Sequence, residues 1–131
     1  MEILNHPTVN ITLNETLDYL SIVWNKFPRS EFLRDIYSRV AIRMDEEQPE
    51  HWILDKKNIK VISPEDQLWM SKEWASKLTE NHMLAFIDSK DVFGQLSIRN
   101  VVNEIKIGYK QLQLEIFDDE EEAIIWFGST S

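Results

Sequence analysis

Short apolar runs alternate with longer amphipathic segments along this chain, and that alternation limits the fold more than any other feature of the sequence. The short runs are of strand type, whereas the longer segments repeat their apolar residues every three or four positions, as helices do. Strands that alternate with helices are joined by crossover connections, which leave neighbouring strands parallel. The alternation therefore predicts an α/β fold on a mainly parallel sheet.

Five runs carry the strand pattern. The first two are separated by a short turn only, so we expect an antiparallel hairpin at one edge of the sheet. Each of the other three follows a helical segment, so we expect parallel strands with right-handed crossovers. The five runs are Val9–Leu13, Leu17–Trp24, His51–Leu54, Met83–Ile87 and Leu112–Phe117.

Four segments have helical spacing. Ser63-Pro64-Glu65-Asp66 is the clearest helix start, because Ser accepts from a free N–H group, Pro suits the first helical position and the acids complement the helix dipole. In the third segment, Ser97 is expected to restart the helix. The four segments run from Ser30 to Glu47, from Ser63 to about Asn81, from Asp91 to Ile105 and from Asp118 to Phe127.

Length and composition predict a single domain over residues 1–131, since no stretch resembles a linker or a low-complexity segment. The chain has no Cys, which excludes disulfides and thiolate chemistry and fits a reducing compartment. The N-terminus lacks the pattern of a secretory signal, and no apolar run approaches the roughly 18 residues of a membrane-spanning helix. We therefore expect a cytoplasmic protein without a transmembrane segment.

The net charge of −9 argues against nucleic acid and anionic membranes as partners. The densest basic cluster is Lys56, Lys57 and Lys60, and Asp55 adjoins it, so no strong basic patch offsets the overall charge. The acidic run Asp118–Glu122 occupies successive positions of a first helical turn, where its carboxylates point around the axis rather than toward one cation.

Motifs that carry catalysis are absent from the sequence. His6, His51 and His82 are not spaced as metal ligands. The sequence contains neither a phosphate-binding glycine loop nor a Gly-x-Ser-x-Gly turn. We expect no catalytic residues, no metal site and no cofactor. Four aromatic residues are candidates to line an apolar ligand site or a partner surface: Trp24, Phe27, Trp69 and Phe93.

Several segments resemble the STAS-like proteins of bacteria, which have the SpoIIAA-like fold of anti-sigma-factor antagonists. The likeness covers most of the chain and is carried by Trp24 before a loop, by Trp52–Asp55 with Val61–Gln67, by Asp91–Ser97 and by Glu115–Phe127. The last segment is similar to the group's closing strand and its Phe-Asp-x-x-x-x-Ala-x-x-Trp-Leu helix. The resemblance implies a right-handed β-α superhelix, here with a five-stranded mixed sheet and about four helices on one face.

The resemblance also implies a role for Ser63. Anti-sigma-factor antagonists carry a phosphorylatable Ser at the start of the helix after the second parallel strand, within Asp-Ser-Ser-Gly. This chain has Ile62-Ser63-Pro64-Glu65 there, so Ser63 is either a phospho-switch or only a helix cap. Glu65 and Asp66 would repel a phosphate at this helix start.

We therefore expect a non-enzymatic regulatory or protein-interaction domain of STAS-like type from a bacterium, whose protein partner the sequence does not identify. The alternative is a binder of a small apolar ligand or lipid held between sheet and helices. The sequence leaves the oligomeric state open, a homodimer included.

Overall fold

One six-stranded sheet organises the molecule. The computed structural model describes residues 2–26, 28–47, 51–78 and 82–129, except for the side chains of 42–47 and 129. The strands lie side by side in chain order: β1 (Glu2–Asn5), β2 (Val9–Asn14), β3 (Tyr19–Trp24), β4 (His51–Asp55), β5 (Met83–Ile87) and β6 (Gln113–Phe117). β1 to β3 are antiparallel and β3 to β6 are parallel, so the predicted α/β class with a mixed sheet is confirmed.

The expected strand count of five is corrected to six, because β1 adds an edge strand beyond β2. Its Leu4 pairs with Ile11, and the register shifts between Glu2 and Leu4. β1 has polar residues at both ends and lacks the alternation that marks a strand in sequence. It forms because the outer N–H and C=O groups of β2 need partners.

The helices follow the predicted order. They are α1 (Ser30–Glu47), α2 (Pro64–Trp69), α3 (Val92–Gly108) and α4 (Glu120–Ser129). α2 continues as a π-helical turn over Met70–Trp74 and a 3₁₀ turn over Ala75–Lys77, so this helical stretch ends before Asn81. α3 runs through Ser97 without a restart. No helix in the described ranges is both long and apolar enough to cross a membrane.

The larger core fills the space between one face of the sheet and the helices α1 to α3. Alternate residues of the strands supply one side of it, including Trp24 from β3 and Trp52 from β4. Tyr37 from α1 and Trp74 from the π-helical turn face them, and all four side chains are fully buried. The apolar spacing of the second helical segment predicts that both Leu68 and Trp74 face inward. Trp74 is buried as predicted, whereas Leu68 is mostly exposed.

A second core lies on the opposite face of the sheet, so the expectation of all helices on one face is wrong. There Ala123 and Phe127 of α4 pack with residues of the central strands such as Ile53 and Ala85. β4 and β5 are apolar on both faces, as parallel strands inside a sheet usually are. Their second face therefore needs its own cover, and α4 provides it.

Candidate functional site

Four large apolar side chains are exposed where α3 begins beside the loop that precedes α2. Val92, Phe93, Leu96 and Val61 have exposed fractions of 71%, 68%, 58% and 46%. Leu96 follows Val92 by four residues and Phe93 by three, so these three share one side of α3. We call the four residues the apolar patch.

Hydrogen bonds and a glycine hold the loop against α3. The Ser97 hydroxyl accepts from the Ile62 N–H at 3.2 Å and donates to the Phe93 carbonyl oxygen at 2.9 Å. Gly94 lies so close that a Cβ atom there would be 2.6 Å from the Ile59 carbonyl oxygen and would also collide with the Lys60 carbonyl oxygen. This packing brings Val61, the neighbour of both Lys60 and Ile62, alongside the first turns of α3.

Four cationic side chains border the apolar patch, and we call them the basic rim. Lys57 and Lys60 come from the loop, Lys90 precedes α3, and Arg99 follows Leu96 by three positions. The Lys90 N–H donates to the Lys57 carbonyl oxygen at 3.2 Å, which joins the two loop segments. All four residues are exposed.

The carboxylates of this region face inward. Asp55 and Asp88 have side chains that are only 4% and 11% exposed. Their oxygens lie 3.1 Å from the Lys57 ammonium nitrogen and 3.3 Å from an Arg99 guanidinium nitrogen. Asp91 is half-buried and caps α3, accepting from the N–H groups at positions 93 and 94. Exposed acids adjoin this region as well, because Asp118 and Asp119 follow Phe117, whose carbonyl oxygen accepts from the Asp88 N–H at 2.9 Å.

Ser63 adjoins the apolar patch and caps α2. Its hydroxyl oxygen accepts from the Asp66 N–H at 3.1 Å, so the predicted helix cap is confirmed. The Asp66 carboxylate turns away toward α1, where it accepts from the Ser30 hydroxyl at 2.6 Å and pairs with Arg34 at 3.0 Å. Of the two acids expected to repel a phosphate, Asp66 is thus already compensated, and only Glu65 is exposed.

The structure separates the three candidate aromatic residues that it describes instead of gathering them into one lining. Trp24 is fully buried in the core, so it cannot line a partner surface. Trp69 is half-buried on α2, where the guanidinium carbon of Arg34 lies 5.7 Å from the ring centroid. Phe93 belongs to the apolar patch, and Phe27 lies outside the described residues.

An open cleft of about 440 Å³ lies beside Trp69, with Leu68, Arg34 and Lys72 among its lining residues. It is on the outer side of α2. The space between sheet and helices, where the ligand-binding alternative places its site, is occupied by the buried side chains of the larger core.

Lys56, a member of the densest basic cluster of the sequence, is fully buried in the larger core. Its side-chain nitrogen donates to the Tyr37 hydroxyl at 2.5 Å and lies 4.8 Å from the centroid of that ring. The Trp24 indole N–H donates to the same hydroxyl at 3.1 Å. Burial lowers the pKa of Lys56 to about 7 and raises the pKa of Tyr37.

A signal for this burial was present in the sequence. Trp52, Leu54 and Lys56 alternate along one strand and its extension, so they share a face. Because Trp52 and Leu54 are core residues, the period of two places Lys56 on the inner side as well.

The described residues include no group of three His, Asp or Glu side chains that could hold a metal ion. At the start of α4, Asp119 caps the helix by accepting from the Glu122 N–H at 2.9 Å, and the acids around it are exposed. Comparison of this chain with protein-family models, with curated proteins and with solved structures found no match.

Proposed function

We propose that this chain is a non-enzymatic protein-interaction domain of STAS-like type, and that a partner protein binds over the apolar patch. The observation that carries the proposal is that Val92, Phe93 and Leu96 expose large apolar side chains at the start of α3, next to the loop that carries the exposed Val61. Single exposed apolar residues such as Ile107 and Ile125 are ordinary on a protein surface, whereas an adjoining group marks an interaction site.

The fold supports the same proposal. Strands β3 to β6 run parallel in chain order and each is joined to the next by a helical segment, which agrees with the resemblance, whereas α4 on the opposite face departs from it. Ser63 begins the helix after the second parallel strand, which is the regulatory position that the resemblance implies. Its place beside Val61 would let a modification of Ser63 change the charge next to a bound partner. We propose further that the domain acts in the cytoplasm of a bacterium.

The ligand-binding alternative has less support. Trp24 and Trp74 fill the space between sheet and helices, and both are fully buried. An apolar ligand would have to use the open cleft beside Trp69, which buries little of a bound molecule compared with an enclosed pocket.

Photocrosslinking tests the proposal in the cells that make this protein. The photoreactive residue p-benzoyl-L-phenylalanine replaces Phe93, which is similar in shape and already exposed. The matched control carries the same residue at Ile125, which is equally exposed on α4. We expect one defined covalent adduct from position 93 that is absent from position 125.

A competition variant completes this experiment. Leu96→Ser should reduce the yield of the position 93 adduct, because it removes apolar contact area from the patch while leaving the core intact. Ile107→Ser, at the exposed far end of α3, should not reduce it. Equal adducts from positions 93 and 125, or none from either, would contradict the proposed function.

A further inference from the structure

We infer that a second copy of this chain binds along β6, so that two sheets join into one through their β6 edges. β6 is a different surface from the apolar patch, so the inference does not rest on the proposed function. An edge strand presents backbone N–H and C=O groups that have no partner within their own sheet, and these groups can pair with a strand of another chain.

The backbone groups of Leu114 and Ile116 point away from the sheet. β6 has a neighbour on one side only, which is β5. The Gln113 N–H donates to the carbonyl oxygen of the residue before β5 at 3.2 Å, and the Phe117 carbonyl oxygen accepts from the N–H of the residue after β5 at 2.9 Å. Gln113 and Phe117 therefore face β5. Because successive residues of a strand alternate in direction, Leu114 and Ile116 turn their N–H and C=O groups outward.

The outer side of β6 is accessible in the part of the chain that the structure describes. An open groove of about 330 Å³ is lined by residues 112–115, together with Lys106, Lys110 and Trp126 from outside the strand. The Leu114 side chain is buried in the larger core, and Ile116 packs against that core. A second strand can therefore approach the edge of β6 while the core stays in place.

The two edges of the sheet differ in how well they are protected against pairing. At β1 the register shifts between Glu2 and Leu4, and both end residues of the strand are polar. β6 instead pairs with β5 at five positions without a shift. Irregular register and charged residues are among the means by which natural edge strands avoid association. Within β6 only Glu115 is charged, so β6 is the edge that is better suited to accept a strand.

β6 is complementary to its own copy in one register. Two identical strands related by a two-fold axis run antiparallel, and each contact between them occurs twice. An axis at Glu115 would set two carboxylates directly opposite each other, which is unfavourable. An axis at Ile116 would set Asp118 opposite the apolar Leu114. An axis at Leu114 avoids both arrangements.

The register with its axis at Leu114 matches polar groups with polar groups. The two Leu114 residues can exchange two hydrogen bonds, since both turn their backbone groups outward. Gln113 lies opposite Glu115 of the second copy, where its amide can donate to the carboxylate. Both side chains are exposed. Lys110 and Asp118, which are exposed on either side of β6, come to the same end of the paired strands with opposite charges.

Sedimentation velocity of the full chain tests the association between about 10 and 500 µM. We expect a monomer–dimer equilibrium in the weak range, since a single edge strand provides a small interface. Hydrogen exchange then locates the interface. The amide protons of Leu114 and Ile116 should exchange more slowly as concentration rises, whereas that of Gln113 is bonded within the chain and should not change. A chain that stays monomeric over this range would overturn the inference.

Gln113→Glu tests the register. It places like charges opposite each other twice in the dimer, so the dimer dissociation constant should rise about fivefold or more. Adding Glu115→Gln to this variant restores the pairing of amide with carboxylate at the natural net charge, and should restore the dimer. The matched control Asn25→Asp adds the same charge at an exposed position after β3 and should leave association unchanged.

A second control separates this interface from the apolar patch. Leu96→Ser removes apolar area from the patch and should leave the dimer intact. Circular dichroism checks that every variant remains folded. A dimer that Gln113→Glu leaves unchanged, or that Leu96→Ser dissociates instead, would overturn the inference.

Discussion

Lys56 is buried with no acidic partner among the residues that the structure describes, and its surroundings indicate the protonation state that suits it. Its nitrogen and the Trp24 indole N–H both lie within hydrogen-bond distance of the Tyr37 hydroxyl oxygen. A neutral amine still donates to the Tyr37 hydroxyl oxygen, so this hydrogen bond does not require the charged form of Lys56. A charged ammonium at this position must instead be desolvated with only an aromatic ring and a hydroxyl to compensate it.

Lys56 therefore predicts how stability depends on pH. Burial lowers its pKa from the ordinary value of 10.5 to about 7 in the folded chain. Between these two values the unfolded chain binds more protons, so the free energy of unfolding should rise with pH, by up to about 1.4 kcal/mol per pH unit from this group. Urea denaturation at pH 7, 8 and 9 measures the rise, which Lys56→Met should abolish while stabilising the protein at pH 7.

Lys57→Met is the matched control for this experiment. Lys57 is the next residue, is partly exposed and pairs with Asp55, so its removal should leave the rise with pH in place. Tyr37 does not interfere, because burial raises its pKa and keeps the phenol neutral over this range. An unchanged slope in Lys56→Met would show that Lys56 stays protonated when folded.

At the scale of elements, the contact between α3 and the loop before α2 depends on Gly94. A methyl group there would collide with the carbonyl oxygens of Ile59 and Lys60 and with the Ser89 hydroxyl oxygen. Two of these atoms belong to the backbone and cannot turn aside. Gly94→Ala should therefore lower the free energy of unfolding by about 1–3 kcal/mol, as overpacking does.

Gly108→Ala is the internal control for Gly94→Ala, because nothing lies within 4 Å of a Cβ atom at Gly108. Alanine within a helix is favoured over glycine by about 0.5–1 kcal/mol, so this variant should be as stable as the natural chain or slightly more stable. Urea denaturation of both variants measures the difference. Equal stabilities of the two would mean that the loop moves away from α3 at little cost.

The order of the elements was predictable because the spacing of apolar residues in each segment indicates whether that segment is a strand or a helix. The phase of a helix was harder to predict, as Leu68 illustrates. The inward side chains of that stretch are Met70, Trp74 and Leu78, which recur every four residues through the π-helical turn and beyond it. Leu68 precedes Met70 by two positions and so lies on the other side of the helix. A search for a regular helical period in the sequence does not detect a change of helix type within a segment.

The candidate site was less predictable than the fold, since it depends on contacts between distant segments. Phe93 was a candidate from sequence, and it lies in the exposed patch. The adjacency of Val61 to α3, however, rests on bonds between Ile62 and Ser97, which are 35 residues apart. The inward turn of Asp55 beneath the basic rim likewise follows from the sheet and not from its own neighbours.

For the molecule as a whole, the two cores are coupled through the strands that they share. In β4, Trp52 and Leu54 belong to the larger core and Ile53 to the second. In β5, Phe86 belongs to the larger core and Ala85 to the second. Removing α4 would expose one face of the strands on which the larger core is built. A helix of ten residues is also marginal by itself, so α4 depends on the sheet as much as the sheet depends on α4.

This coupling predicts that damage to the second core is felt in the first. Phe127→Ala should lower the free energy of unfolding by about 3–5 kcal/mol, because it leaves a cavity between α4 and the sheet. In a Trp126→Phe background, which removes the tryptophan of α4, the unfolding midpoint should fall equally by circular dichroism and by the fluorescence of the tryptophans in or against the larger core. Ile125→Ala, an exposed position on the same helix, should shift neither signal appreciably. If Phe127→Ala left the fluorescence midpoint unchanged while circular dichroism lost helix at lower denaturant, α4 would be a separately melting element, and the larger core would be stable without its second cover.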